Sequence, residues 1–121
     1  MTIVLLALAG GLGAWLRFTA DGHVRRLVRS SVPLGTLVIN VTGSLVLGAL
    51  TGYLGRHLGF DDLRTIVGTG LLGGFTTFST AVVEVATLLR QGRRLAGGLL
   101  WLGMVGAGLL AAVAGLWVGS L

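Results

Sequence analysis

The sequence predicts an all-α membrane protein of four transmembrane helices. Three observations carry that expectation. The chain is 54% hydrophobic and only 11% charged, whereas soluble domains carry about 25% charged residues. Its apolar residues gather into four spans separated by three short charged loops. The last three spans each exceed the ~20 helical residues needed to cross a hydrocarbon core. At 121 residues, one domain is expected, with no room for a separate catalytic module. No cysteine is present, which excludes disulfides, thiolate nucleophiles and cysteine metal sites. The net charge of +5 comes from nine arginines and no lysine. Because those arginines sit in loops, they read as a topology signal and no nucleic-acid partner is expected.

The first helix is expected over 2–18. It lacks a basic leader and a small-residue cleavage site followed by a soluble domain, so it does not read as a cleaved signal peptide. It is short for a span, and reaching Phe18 requires Arg17 to snorkel. The second helix is expected over 33–54, opening at Pro33, a residue suited to a first turn. The third is expected over 63–89 and the fourth over 95–121. The connecting loops read "DGHVRRLVRSSVP", "GRHLGFDDLR" and "RQGRR". Trp15, Tyr53 and Trp117 fall near span ends, as interfacial aromatics do. His23 and His57 read as solvated loop histidines. The pairs Gly48/Gly52, Gly70/Gly74 and Gly115/Gly119 have the spacing that lets helices approach closely in lipid, although 22 glycines make such pairs common by chance. "GGLG" at Gly10 has no preceding strand and is no dinucleotide loop.

Polar groups inside the spans narrow the function. Thr36, Asn40 and Ser44 recur at four-residue spacing on one helix face, continued by Gly48. They read either as hydrogen-bonding glue between helices or as a polar track along a pathway. In the third span, "GGFTTFST" places Gly73 and Gly74 beside four hydroxyls, and predicts a helix broken at Gly73–Gly74. A break in lipid frees backbone groups that must find partners. The threonine hydroxyls could patch a mere kink, or the freed carbonyls could form a cation site as in transporter folds. Glu84 is an intramembrane carboxylate or an interfacial one near Arg90, and Arg17 is an anchor or a vestibule charge.

Together "GGLGAWLRF", "PLGTLVINVTGS", "GLLGGFTTFSTAVVE" and "GRR" resemble, in order and spacing, the Fluc (CrcB) fluoride channel family across nearly the whole chain. The resemblance implies an antiparallel dimer with two pores and a broken third helix, in the cell membrane. It also implies a central structural Na⁺, not transported, held by the carbonyls of Gly73 and Thr76. Asn40 and Phe78 would line the fluoride path, and the hydroxyls of Thr36, Ser44, Ser79 and Thr80 are candidate donors there. Such donors, and the electropositive edges of phenyl rings, suit a small, strongly hydrated anion. A buried Na⁺ lowers the cost of holding that anion in low dielectric.

The chain departs from the family at two places. Where the motif usually carries a second phenylalanine, this sequence has Ala81, and the fourth span lacks the polar track common in the family. Charge is also lopsided. Arg25, Arg26, Arg29, Arg90, Arg93 and Arg94 flank loops one–two and three–four, while Arg56 and Arg64 accompany Asp61 and Asp62 in the other loop. The bias places the first and third loops in the cytoplasm and both termini outside. A subunit so committed to one orientation favours an inverted paralogous partner over itself. No carboxylate pair, Ser–His–Asp set or phosphate loop is present, so no enzyme is expected. The alternatives are a non-conducting structural subunit and a small proton-coupled drug exporter; the exporter wants an acid in the first span, which 2–18 lacks.

Overall fold

The computed structural model describes residues 1–57 and 59–121, and every regular element among them is helical. Helices α1 (Thr2–Leu27) and α2 (Gly35–Leu54) are continuous. The next segment, Asp61–Arg90, changes character along its length. It opens with the turn Asp61–Leu63, runs as π-helix through Arg64–Leu72 and returns to an α-turn at Gly73–Phe75. Thr76 is then extended, with ψ 156°, and helix resumes as α3 (Ser79–Arg90). Helix α4 (Arg94–Gly119) completes the chain. Four segments, Thr2–Leu27, Gly35–Leu54, Asp61–Arg90 and Arg94–Gly119, are long and apolar enough to cross a membrane.

Several expected boundaries move. The first helix does not end near residue 18 but runs to Leu27. Its charged tail stays helical because Asp21 and Arg25, one turn apart, pair at 2.8 Å. Arg17 therefore lies inside α1, and Asp21 supplies the first span with an acid after all, though one already paired. α2 starts at Gly35 rather than Pro33, and α4 stops at Gly119. The break expected at Gly73–Gly74 is not there either, since both glycines are helical and the non-helical residues are Thr76–Phe78.

Gly74 has a different task. A Cβ there would overlap the Gly10 carbonyl, and one on Gly13 would overlap the Leu71 carbonyl, so the two backbones lie in direct contact. The same device joins α2 to α4. Gly48 and Gly52 press on the carbonyls of Ala112 and Leu116, while Gly115 and Gly119 press on those of Leu45 and Ala49. With no water to expel between helices in lipid, such close approach supplies dispersion and Cα–H···O contact in place of a hydrophobic drive.

The third span thus passes from one partner to another. Its π-helical half packs on α1, and α3 packs on α4, so the extended residues fall where it changes neighbours. Ala81 and Leu88 of α3 meet Leu100 and Met104 of α4 in the main buried cluster. The α3–α4 turn closes through Gly92, at φ 76°, with Arg93 N–H on the Leu88 carbonyl and Gly92 N–H on that of Leu89. Elsewhere large apolar side chains face outward, among them Leu8, Leu102 and Leu110. Such a surface is unsuited to water.

The helix ends sort by charge. Arg93 donates to the Ser31 carbonyl at 2.7 Å and to its hydroxyl at 2.9 Å, which ties the first and third loops at one end. At the opposite end Thr2 reaches Asp62 and Arg56 reaches the Leu121 carbonyl.

Candidate functional site

The site forms where the third span leaves its helix, and Asn40 holds it open. The Asn40 Nδ2 donates to the Thr77 carbonyl at 2.7 Å, and the Thr77 N–H donates to Asn40 Oδ1 at 2.8 Å. In an unbroken helix that N–H would bond the Gly73 carbonyl four residues back. The side chain of α2 has taken the place of a helical partner, which leaves the Gly73 carbonyl without its usual donor. One turn on, the Thr80 N–H is taken by the Thr77 hydroxyl at 3.3 Å, so it does not close a helical bond on the Thr76 carbonyl. The Thr77 hydroxyl thereby satisfies an N–H in the first turn of α3, and it touches the hydroxyls of Ser79 at 3.3 Å and Thr80 at 3.2 Å. Thr76 instead turns its hydroxyl back to the Leu72 carbonyl, 3.0 Å away. Gly43 makes the room, because a Cβ there would strike the Thr76 methyl and crowd the Phe75 ring.

Two cavities flank this segment, and Thr77 lines both. The larger, about 530 Å³, lies between α2, Thr76–Phe78 and α4. Asn40, Ser44, Phe78, Ala81, Trp101 and Met104 are among its walls. Phe78 is 71% exposed on a non-helical stretch within an apolar span. The smaller, about 170 Å³, is bounded by Arg17, Phe18, Asp21, Thr36, Ile39, Thr77 and Thr80. Arg17 Nε and Asp21 Oδ1 are both buried there with no protein partner. The Thr36–Asn40–Ser44 stripe is thus divided between two chambers.

Beside the smaller chamber, the Thr36 hydroxyl donates to Glu84 Oε1 at 2.8 Å, and Arg25 stands 3.7 Å from the same oxygen. Arg25 also holds Asp21, so one guanidinium joins α1 to α3 while Thr36 brings in α2. Glu84 Oε2 is buried without a partner. Among the described residues no cluster of His, Cys, Asp or Glu could hold a metal ion. A hard cation would have to rely on neutral oxygens such as the Gly73 and Thr76 carbonyls. The outer face of Gly73 is open, with nothing within 4 Å of where a Cβ would stand.

Of the residues expected at the site, Asn40, Ser44 and Phe78 meet at the larger cavity, and Arg17, Thr36 and Thr80 at the smaller. Ser79 is exposed at the start of α3. Four contributors are new: Thr77, Gly43, the Asp21–Arg25 pair and Trp101. Thr77 lay in plain view in the motif, but its partner is 37 residues away. Trp101 is the eighth residue of α4, half-buried against the Phe78 ring. Its place in the sequence did not mark it, because its burial comes from a ring on another element.

A multi-pass membrane protein with hydroxyl and amide groups gathered at an interruption in one span is the class this fold and site define. The family model described as "CrcB-like protein, Camphor Resistance (CrcB)" matches residues 4–116, and the chain belongs to that family. It is 51% identical to the fluoride-specific ion channel FluC 2 of Cutibacterium acnes, over 99% of this chain and 98% of the relative. It is 46% identical to the fluoride-specific ion channel FluC 1 of Leifsonia xyli subsp. xyli, over 100% and 88%. Against the fluoride-specific ion channel FluC of Mesorhizobium japonicum, identity is 38% over 96% and 94%.

Proposed function

We propose that this chain is a subunit of a fluoride-selective channel that lets fluoride leave the cytoplasm passively. The observation that carries the reading is the Asn40–Thr77 clamp. It keeps a stretch of backbone out of helix in mid-membrane, beside chambers lined by hydroxyls, an amide and a phenyl edge. An anion as strongly hydrated as fluoride crosses only where such donors replace its water. The relatives named above are ion channels by name rather than enzymes, which supports the same reading.

The assembly we propose is an antiparallel dimer with two pores. The carbonyls of Gly73 and Thr76 from each subunit would hold one structural Na⁺ at the centre, and both lack a helical donor here, as such a ligand must. When bound, Na⁺ supplies positive charge that favours an anion nearby and ties the two inverted subunits together. The open face of Gly73 fits an approach by a second subunit. In the cell membrane, the arginine-rich end would face the cytoplasm and both termini the outside. One orientation per subunit favours a paralogous partner.

A second reading has one specific observation behind it. Beyond Trp101, the α4 wall of the larger cavity offers Met104, Val105, Gly108, Leu109 and Ala112, with no hydroxyl or amide among them. A pore so walled could be silent, with this chain as structural support for a conducting partner. Fluoride efflux from liposomes tests both readings. Vesicles holding this chain with its inverted paralogue should release fluoride and retain chloride, and N40A or F78A in this chain should slow release. Unchanged efflux in both variants would leave only the structural role, and full efflux from this chain alone would exclude the obligate heterodimer.

A further inference from the structure

The Phe78 ring does not stand alone. The ring of Trp101, from α4, lies 5.8 Å from it between centroids and is inclined at 67°, an edge-to-face pair. Both rings line the larger cavity with Asn40 and Ser44. Resting on the channel reading above, we infer that Trp101 supplies the second aromatic edge of the anion path, in the place that Ala81 leaves without a ring.

Three observations support this. Ala81 is only 3% exposed and packs against Leu100 and Met104 of α4, so a phenyl group at position 81 would have to displace that contact. A ring for this part of the cavity must therefore come from another element, and α4 carries one at the residue after Leu100. Trp101 also differs from its two counterparts. Trp15 and Trp117 are 61% and 66% exposed, whereas Trp101 is half-buried at the cavity wall. Last, the edge-to-face arrangement has a consequence for charge. Aromatic edges are electropositive and faces electronegative. In a T-shaped pair only one stretch of one edge is spent on the neighbour's face, and the remaining C–H edges of both rings stay available to an anion. The contact also fixes both rings, so their edges need no reorganisation when an ion arrives.

Trp101 thus acts as a recognition residue rather than a spacer, and smaller substitutions with and without an aromatic edge separate the two roles. W101F keeps an aromatic edge and loses the indole N–H. W101L and W101M keep apolar bulk and lose the edge. Each is reconstituted under the conditions that give wild-type efflux, after gel filtration in detergent confirms the wild-type elution position. The expected result is W101F within about threefold of wild type, and W101L and W101M slower by about three- to tenfold, as the loss of one aromatic contact implies. Wild-type efflux from either aliphatic variant overturns the inference, and so does a W101F variant as slow as W101L. Should W101L fail to elute as wild type, W101M decides. A wild-type chain that passes no fluoride, alone or with its partner, would overturn the channel reading itself. That outcome shows in the wild-type control before any variant is compared.

Discussion

At the scale of single residues, the Asn40 amide makes the strongest demand. Replacing it with leucine strands both the N–H and the carbonyl of Thr77, and each unpaired backbone group costs about 1–3 kcal/mol when buried. N40L should therefore lower the melting temperature in detergent and abolish efflux. N40D keeps an acceptor for the Thr77 N–H, so it should lose less stability than N40L while still slowing fluoride. Equal destabilisation by the two variants would mean that the Thr77 N–H is not held through Oδ1. Gly43 offers a smaller version of the same test. A methyl group there presses on Thr76 and Phe75, and G43A should cost about 1–3 kcal/mol, as overpacking does. The sequence announced Asn40 as a buried polar group needing a partner, but not which one. Its amide bonds to main chain, and main chain leaves no mark in the order of side chains.

Among the elements, the spans were legible because apolar runs between arginine-bearing loops leave few alternatives, and their ends were not. The tail of α1 read as loop from its charges, yet Asp21 and Arg25 satisfy each other along the helix. The glycine pair read as a breaker, yet Gly74 serves a close approach to Gly10. Both features look the same in sequence and differ only in what lies across from them. The contacts between α2 and α4 make this quantitative. G115A drives a methyl into the Leu45 carbonyl and should destabilise by about 1–3 kcal/mol. G98A lies in the same helix with open space around its Cβ, and should instead be neutral or stabilising by up to about 1 kcal/mol. Thermal unfolding of the two variants side by side checks the assignment; a neutral G115A would disprove backbone contact at that crossing.

For the whole molecule, the arginine-rich end is the basis of the orientation proposed above. Because the chain has no cysteine, single cysteines can be introduced cleanly. A cysteine at Arg94 should react with an impermeant maleimide only from the cytoplasmic side, and one at Leu121 only from outside. Labelling of either from both sides would indicate dual insertion and restore the homodimer. Sodium gives a second test at this scale. An ion bound only by the assembled protein stabilises it in proportion to the logarithm of its concentration. Replacing Na⁺ by N-methylglucamine throughout should lower the melting temperature of the assembly, with a smaller loss in a variant that already lacks the Asn40 clamp. An assembly indifferent to Na⁺ would remove the ion from the proposal.

The clamp also limits what the pathway can offer. A carboxamide nitrogen bears two hydrogens, and at Asn40 one already points to the Thr77 carbonyl. On the channel reading proposed above, an anion passing this residue would meet a single remaining proton, not a pair. On that reading, an ion shedding its hydration shell there would exchange water for this amide one bond at a time.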